Sequence, residues 1–247
     1  MDNTTTIALS RLIVEQRAMD VSAENMANIN TAGYKLERVL FSDWLSRQTG
    51  TERIPGENTF AYVQDRATYR DQRDGTLSMS GNPLDLAISG DGYFTVLTNN
   101  GPRLTRAGRF EPQQNGTIVD HDGNRLLDTN GQPIQISPTD TELSIAGDGT
   151  ISSANGQIGK IGIVKPNDLA KMQAEGSRLF TAGGPTVPVT NPKIIQGAVE
   201  DSNVQPVLEL TRMMNELREF QFTTQFLQGE SDLTSAAIQK LLQRNGS

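Results

Sequence analysis

S-A-E-N-M-A-N-I-N-T-A-G-Y-K, residues 22–35, closes an amphipathic segment that begins near Thr6. Asn25, Asn28 and Asn30 lie close together on what otherwise reads as a helix. The Asn amide competes with the backbone for hydrogen bonds, so three of them suit a freely solvated helix poorly. They fit a helix whose amides bond to another chain, with Ala23 and Ala27 letting that chain come close. Gly33 tolerates positive φ, so the helix stops and turns there.

Upstream of this stretch, Leu12, Met19 and Met26 recur every seven residues, with Leu9, Gln16 and Ala23 as the companion series. That is an a/d pattern with one polar position. A surface helix packed on its own domain carries a similar stripe, so the period alone leaves both readings open. The far end of the chain shows the same feature. Val207, Leu210, Met214 and Leu217 follow 3-4-3 spacing, and the seam continues through Phe220 and Leu227, with Ile238 and Leu241 further on. Pro206 suits a first helical turn, capped by Ser202 or Asn203. Gly229 weakens the middle. A forty-residue helix spans roughly 60 Å, too long for its own domain to cover. Its natural partner is the N-terminal helix. Leu217 is expected to be buried against the N-terminal helix or a neighbouring subunit, and Glu216 to lie on a more polar face.

Between the two ends the pattern changes. Residues 35–75 hold short apolar groups separated by polar sequence, with Gly50–Asn58 reading as an exposed loop. From Leu84 to Ile195, short runs rich in Val, Ile, Leu and Phe alternate with turn signals such as N-N-G (99–101), Q-N-G (114–116) and N-G-Q (130–132). Asn-Gly and Asp-Gly suit tight hairpins. Within the β-rich region only Pro166–Glu175 could hold a short helix, with Asp168 near its start. The fold class is mainly β with helical termini. Residues 1–34 and 203–247 would form a helical coiled-coil domain, 35–75 an extended connection or hairpin, and 76–202 an antiparallel all-β domain.

Composition excludes several functions. The chain has 247 residues, 35% of them hydrophobic, a formal net charge of −7 and no Cys. The charge argues against nonspecific nucleic-acid binding, which needs a basic face. Without Cys there is no disulfide framework, thiolate metal site or Cys nucleophile. No apolar run approaches the roughly 20 residues of a membrane span. The M-D-N-T-T-T start lacks the basic and apolar regions of a secretory signal, so a cleaved export signal is not expected. The single His, His121, lies in D-H-D-G-N and reads as a polar turn residue. One His and no Cys cannot build the usual zinc site. The Asp120–Asp122 pair misses the calcium-loop pattern, because Gly is fourth rather than sixth and residue 131 is Gly. G-D-G-Y-F (90–94) lacks the Gly-Lys-Ser/Thr of a phosphate loop, and Gly-x-Ser-x-Gly is absent. No catalytic site, cofactor or metal is therefore expected. An assembly protein is favoured over two alternatives, an extracellular β-rich adhesin or fibre subunit and a carbohydrate-active enzyme with paired carboxylates.

A-E-N-M-A-N-I-N-T-A-G-Y-K resembles the N-terminal signature of bacterial flagellar rod and hook proteins. So do G-N-P-L-D-L-A-I-S-G-D-G-Y-F (81–94), L-T-R-A-G-R-F (104–110) and Q-G-A-V-E-D-S-N-V-Q-P-V (196–207), in the family's order. The pattern carries over Ala23, Asn25, Ala27, Asn28, Thr31, Gly33, Tyr34 and Lys35. Glu24 departs from it, standing where the family usually has Asn. The start, the length and the short 46–75 segment look most like the proximal rod branch; the distal rod branch is similar. The resemblance implies terminal helices paired into an inner, channel-lining domain, with subunits stacked helically into a hollow shaft that crosses the periplasm and transmits torque. It implies partners in copies of itself, in other proximal and distal rod proteins, and in the flagellar type III export apparatus. On that reading the interface residues are Leu12, Met19, Ala23, Asn25, Met26, Asn28, Gly33, Tyr34, Leu210, Met214, Leu217, Phe220 and Leu227.

Overall fold

The computed structural model describes residues 3–47, 59–137, 140 and 142–244, and the chain divides into two compact units. The expected loop at Gly50–Asn58 and the Leu241 side chain lie outside the described residues.

The first unit holds Met1–Met26, Glu37–Asp71 and Gln205–Ser247. Helix α1 is Asn3–Ala27, strands β1 and β2 are Glu37–Arg47 and Thr59–Arg70, and helix α2 is Pro206–Arg244. The strands form an antiparallel hairpin with a register shift between Leu40 and Phe41. α2 runs 39 residues without interruption through Gly229. The cost of one helical glycine, about 1 kcal/mol, is small against the rest of a helix that long.

The second unit holds Ala27–Leu36 and Gln72–Val204. Its strands, in chain order, are β3 (Leu77–Met79), β4 (Leu86–Ile88), β5 (Tyr93–Thr98), β6 (Gly101–Thr105), β7 (Phe110–Pro112), β8 (Ile118–Asp120), β9 (Arg125–Leu126), β10 (Ser144–Ile145), β11 (Thr150–Ser153), β12 (Gly156–Lys160), β13 (Ile163–Pro166), β14 (Gln173–Glu175), β15 (Leu179–Thr181), β16 (Thr186–Pro188), β17 (Ile194–Gln196) and β18 (Ala198–Glu200). All pairings between them are antiparallel. The largest sheet has nine strands, with β14-β15-β6-β5-β9-β8-β7 as its spine and β13 and β16 attached. Fold class is thus as read: helical ends and an antiparallel β middle.

One face of this sheet and the strands beside it bury Leu86, Ile88, Phe94, Val96, Phe110, Ile118, Leu126, Ile151 and Ile161 in a single cluster. Phe94 and Phe110 meet edge to face with ring centroids 5.4 Å apart, the arrangement favoured by the ring quadrupole. The Q-N-G turn shows why glycine is needed: Gly116 has φ +80, and a Cβ there would lie 2.0 Å from the Ile136 carbonyl oxygen.

Within Pro166–Glu175 the short helix that the sequence allowed is a 3-10 turn at Leu169–Lys171, between β13 and β14; the polar run has no apolar stripe to hold a longer one. Two features differ from the sequence reading. Short strands such as β3, β7, β16 and β18 carry no repeating apolar signal, because three residues are too few to show a period. The compact units also divide elsewhere. Residues 27–36 group with the β unit, and the hairpin groups with the two helices. The contacts responsible are those of Asn25 and Lys35 below.

Candidate functional site

In the helical unit, α1 and α2 meet through a ladder of polar side chains. Thr223 donates from its hydroxyl to Glu15 Oε1 at 3.2 Å. One heptad along, Ser22 donates to Glu216 Oε2 at 2.7 Å. Near the end of α1, Asn25 Nδ2 reaches Glu209 Oε2 at 3.4 Å. Residue numbers rise along α1 as they fall along α2, so the helices are antiparallel. Glu15, Ser22, Asn25, Glu209 and Thr223 are all buried. Glu15 also accepts from Arg11 Nε at 2.7 Å, while its Oε2 has no hydrogen-bond partner. Burial pushes the Glu216 carboxyl above its ordinary range, against the pull of the Ser22 hydrogen bond and the Arg212 charge. A groove of about 690 Å³ beside the ladder is lined by Val14, Ala18, Leu208, Thr211 and Asn215, among others.

Asn25 does a second job. Its Nδ2 donates to the Glu37 carbonyl at 2.9 Å, and its Oδ1 accepts the Glu37 N–H at 2.8 Å. This doubled bond ties the end of α1 to the start of β1. Arg38, the next residue, grips both oxygens of Glu209 at 2.6 and 2.8 Å. Both amide atoms of Asn25 thus find hydrogen-bond partners within the subunit.

The interface residues read from sequence divide into three groups. Asn25, Gly33 and Tyr34 are buried; Leu12, Met19, Met26, Asn28, Phe220 and Leu227 are half-buried; Ala23 is exposed. Leu210, Met214 and Leu217 are 48%, 47% and 45% exposed, and so is much of Val207. The α2 residues that hydrogen-bond to α1 are Glu209, Glu216 and Thr223, none of them in this apolar series, and Glu216 sits in the seam rather than on a solvated face. Leu217 lies about 100° around the helix from Glu216.

In the β unit, the chain leaving α1 is held by a buried charge cluster. Gly33, at φ +70, donates its N–H to the Glu200 carbonyl at 2.7 Å. Tyr34 packs with Leu36, Val204 and Ile29. Lys35 Nζ pairs with Glu200 Oε1 and donates to the Arg73 carbonyl at 2.8 Å. Arg106 binds Glu200 Oε2 at 3.1 Å, the Ile88 carbonyl at 3.2 Å and the Gly90 carbonyl at 2.6 Å. Its guanidinium lies over the Tyr93 ring, 5.3 Å from the centroid, a cation–π geometry. Burial lowers the Lys35 ammonium below its ordinary value, opposed by the Glu200 charge. Burial likewise pushes the Tyr93 hydroxyl up to about 12. The four sequence segments quoted for the family resemblance converge here. They contribute Lys35, Gly90, Arg106 and Glu200. Lys35, Arg106 and Glu200 all lie in the quoted segments, but nothing in the sequence pairs them with one another.

A polar cleft in the same unit is lined by Asn28, Asn30, Arg109, His121 and Arg178, among others. His121 is exposed on a turn built by Asp120, whose Oδ1 accepts the N–H groups of Asp122 and Asn124. Among the described residues no group of three or more His, Asp or Glu side chains is placed to hold a metal ion, and no helix is long and apolar enough to cross a membrane.

Two terminal helices joined by a polar ladder, apolar stripes turned outward and a β body closed by structural charges define an assembly protein. Three family models match the chain: flagella basal body rod protein over residues 6–35, flagellar hook protein FlgE/F/G D1 domain over 87–153, and flagellar basal body rod FlgEFG protein C-terminal over 195–240. Flagellar basal-body rod protein FlgF of Caulobacter vibrioides is 33% identical over 98% of both chains, and FlgF of Mesorhizobium japonicum 33% over 98% of both. Flagellar basal-body rod protein FlgG of Bacillus subtilis is 31% identical over 90% of this chain and 93% of its own. The chain belongs to the flagellar basal-body rod protein family, as the four quoted segments indicated, and is a structural rod subunit of the FlgF-like kind.

Proposed function

We propose that the chain is a proximal rod subunit, the branch that FlgF represents, polymerising through its terminal helices into the hollow, torque-transmitting shaft. The observation that carries this reading is the outward apolar stripe of α2. Leu210, Met214 and Leu217 repeat along one helix face, and all are nearly half exposed in the single chain. A contiguous apolar face of that kind marks an interaction surface. The helical unit would be the inner, channel-lining part and the β unit the outer part. Leu12, Met19, Ala23, Met26, Asn28, Phe220 and Leu227 would contribute to contacts with copies of this chain and with other proximal and distal rod proteins. Asn25 would act by tying the end of α1 to β1, and Gly33 and Tyr34 by holding the segment that follows α1 within the β unit. Delivery by the flagellar type III apparatus, without a cleaved signal peptide, fits a rod that crosses the periplasm. The role is structural and non-enzymatic.

The test is to replace the chromosomal copy with an epitope-tagged chain, purify basal bodies and locate the tag by immunogold electron microscopy. Label confined to the membrane-proximal part of the rod is expected. Label along the distal rod would assign the distal branch, and absence from basal bodies would overturn the reading.

A further inference from the structure

α2 is 39 residues long and α1 is 25. Helix length therefore does not decide which part of α2 lies beside α1, and side chains must. The residues of α2 that bond to α1, Glu209, Glu216 and Thr223, recur every seven residues, and the next position of that series is the half-buried Glu230. Three of the four are carboxylates. Thr223 alone carries a hydroxyl, and it is the one that meets Glu15.

We propose that the Glu15–Thr223 pair is the register- and face-determining contact of the helical unit. Sliding α2 by one heptad in either direction would set Glu15 against Glu216 or against Glu230. Either places two carboxylates together in a buried seam, where like charges repel strongly. Arg11 already serves Glu15 Oε1, and Glu15 Oε2 has no donor in the native arrangement. The site thus has little capacity to absorb a second negative charge. Turning α2 about its axis instead, so that Leu210 and Leu217 faced α1, would bury apolar surface but leave Glu15 and Ser22 without their partners. The ladder opposes both errors. A single polar position that sets helix register at some cost in stability is a known device of helix pairs. The consequence is that the apolar stripe stays available to a second copy, and this last step rests on the proposed rod function.

The test uses the full chain, which has no Cys of its own. Ala18→Cys with Phe220→Cys, one helical turn inside the Glu15–Thr223 and Ser22–Glu216 contacts, is joined by a short bismaleimide in the monomer. Thr223→Glu is expected to lower the cross-linked yield about tenfold, the effect of one unit on a logarithmic equilibrium scale. It should also lower hydrogen-exchange protection in 3–27, leaving 72–204 unchanged. The exchange variant Glu15→Thr/Thr223→Glu should restore both readings, which simple loss of helix stability would not do. Thr223→Ser should behave as the parent. A parent-like cross-link in Thr223→Glu, or no rescue in the exchange variant, overturns the proposal. Cross-linking is read on the monomer, so it stands whether or not the tagged chain is found in the rod. In cells, Thr223→Glu should lose motility and the exchange variant regain it.

Discussion

Lys35 and Glu200 stand 165 residues apart in the chain and meet as an ion pair in which each side chain is 1% exposed. Arg106 joins them, so one carboxylate serves two buried cations. Such a cluster adds little net stability compared with apolar packing, but removing one member strands the others. Its value lies in geometry. It pins the chain leaving α1 to the last strand of the β unit.

The first prediction follows from that dependence. Glu200→Gln leaves Lys35 and Arg106 without their shared counter-charge. We expect the β unit to lose about 3–5 kcal/mol, measured by urea unfolding followed through near-ultraviolet circular dichroism. A loss within 0.5 kcal/mol would mean that the half-exposed Asp74, 3.5 Å from Arg106, can take over the charge.

Gly33→Val should be more disruptive than its size suggests. The residue has φ +70, and a Cβ would lie 2.3 Å from the Ala107 nitrogen and 2.4 Å from the Arg106 carbonyl carbon. Backbone strain of about 1–3 kcal/mol adds to a clash with backbone that has no room to move. We expect an exported subunit that supports no swimming in soft agar. Normal motility with a normal rod would refute the positional requirement.

The two units should respond oppositely to acid. Glu216 is raised above its ordinary 4.5 by burial, so the folded helix pair binds its proton more tightly than the unfolded chain does. That stabilisation is complete below pH 4.5 and fades as pH rises through the higher folded value. In the β unit, Asp91 is held low by Lys165, Asp140 by Asn155, and Asp148, at about 2, by Lys160. Their contribution is present above 3.8 and is lost as pH falls through the folded values. Hydrogen exchange, corrected for intrinsic rates, should show protection in α1 and α2 rising between pH 7 and 4.5. Protection in 72–204 should fall only below 4.5, where Glu175, held low by its hydrogen bond from Arg103, begins to lose its contribution ahead of the aspartates. Glu216→Gln should flatten the first response and leave the second.

Leu217→Asp separates folding from assembly. The side chain is 45% exposed, and substitutions at such surface sites usually change stability by no more than about 0.5 kcal/mol. The monomer should therefore unfold at the parent's urea concentration. In a rod, the carboxylate would be buried against a neighbour without a partner, at a cost of several kcal/mol. We expect export without incorporation into basal bodies, scored by immunoblot of purified rods. Normal incorporation would show that this stripe faces solvent in the rod.

The sequence by itself determined the broad plan. Helical periodicity at both ends and turn-separated apolar runs between them are local signals, and each survives in the folded chain. Asn25 and Gly33 were also legible, because an amide on a helix and a glycine at its end violate local preference unless something compensates. What the period could not decide was which stripe of α2 faces α1. Leu210 and Leu217 are seven apart, and so are Glu209 and Glu216, one position earlier. Two stripes of equal period about 100° apart are distinguished only by what lies opposite, and Glu15 and Ser22 lie opposite. Hydrophobicity marks the stripe of Leu210 and Leu217 for burial but does not say whether α1 or a neighbouring subunit covers it. The buried cluster is tertiary for a related reason. Lys35, Arg106 and Glu200 carry no local signal of one another, and only the folded β unit removes the water that would otherwise keep three charges apart.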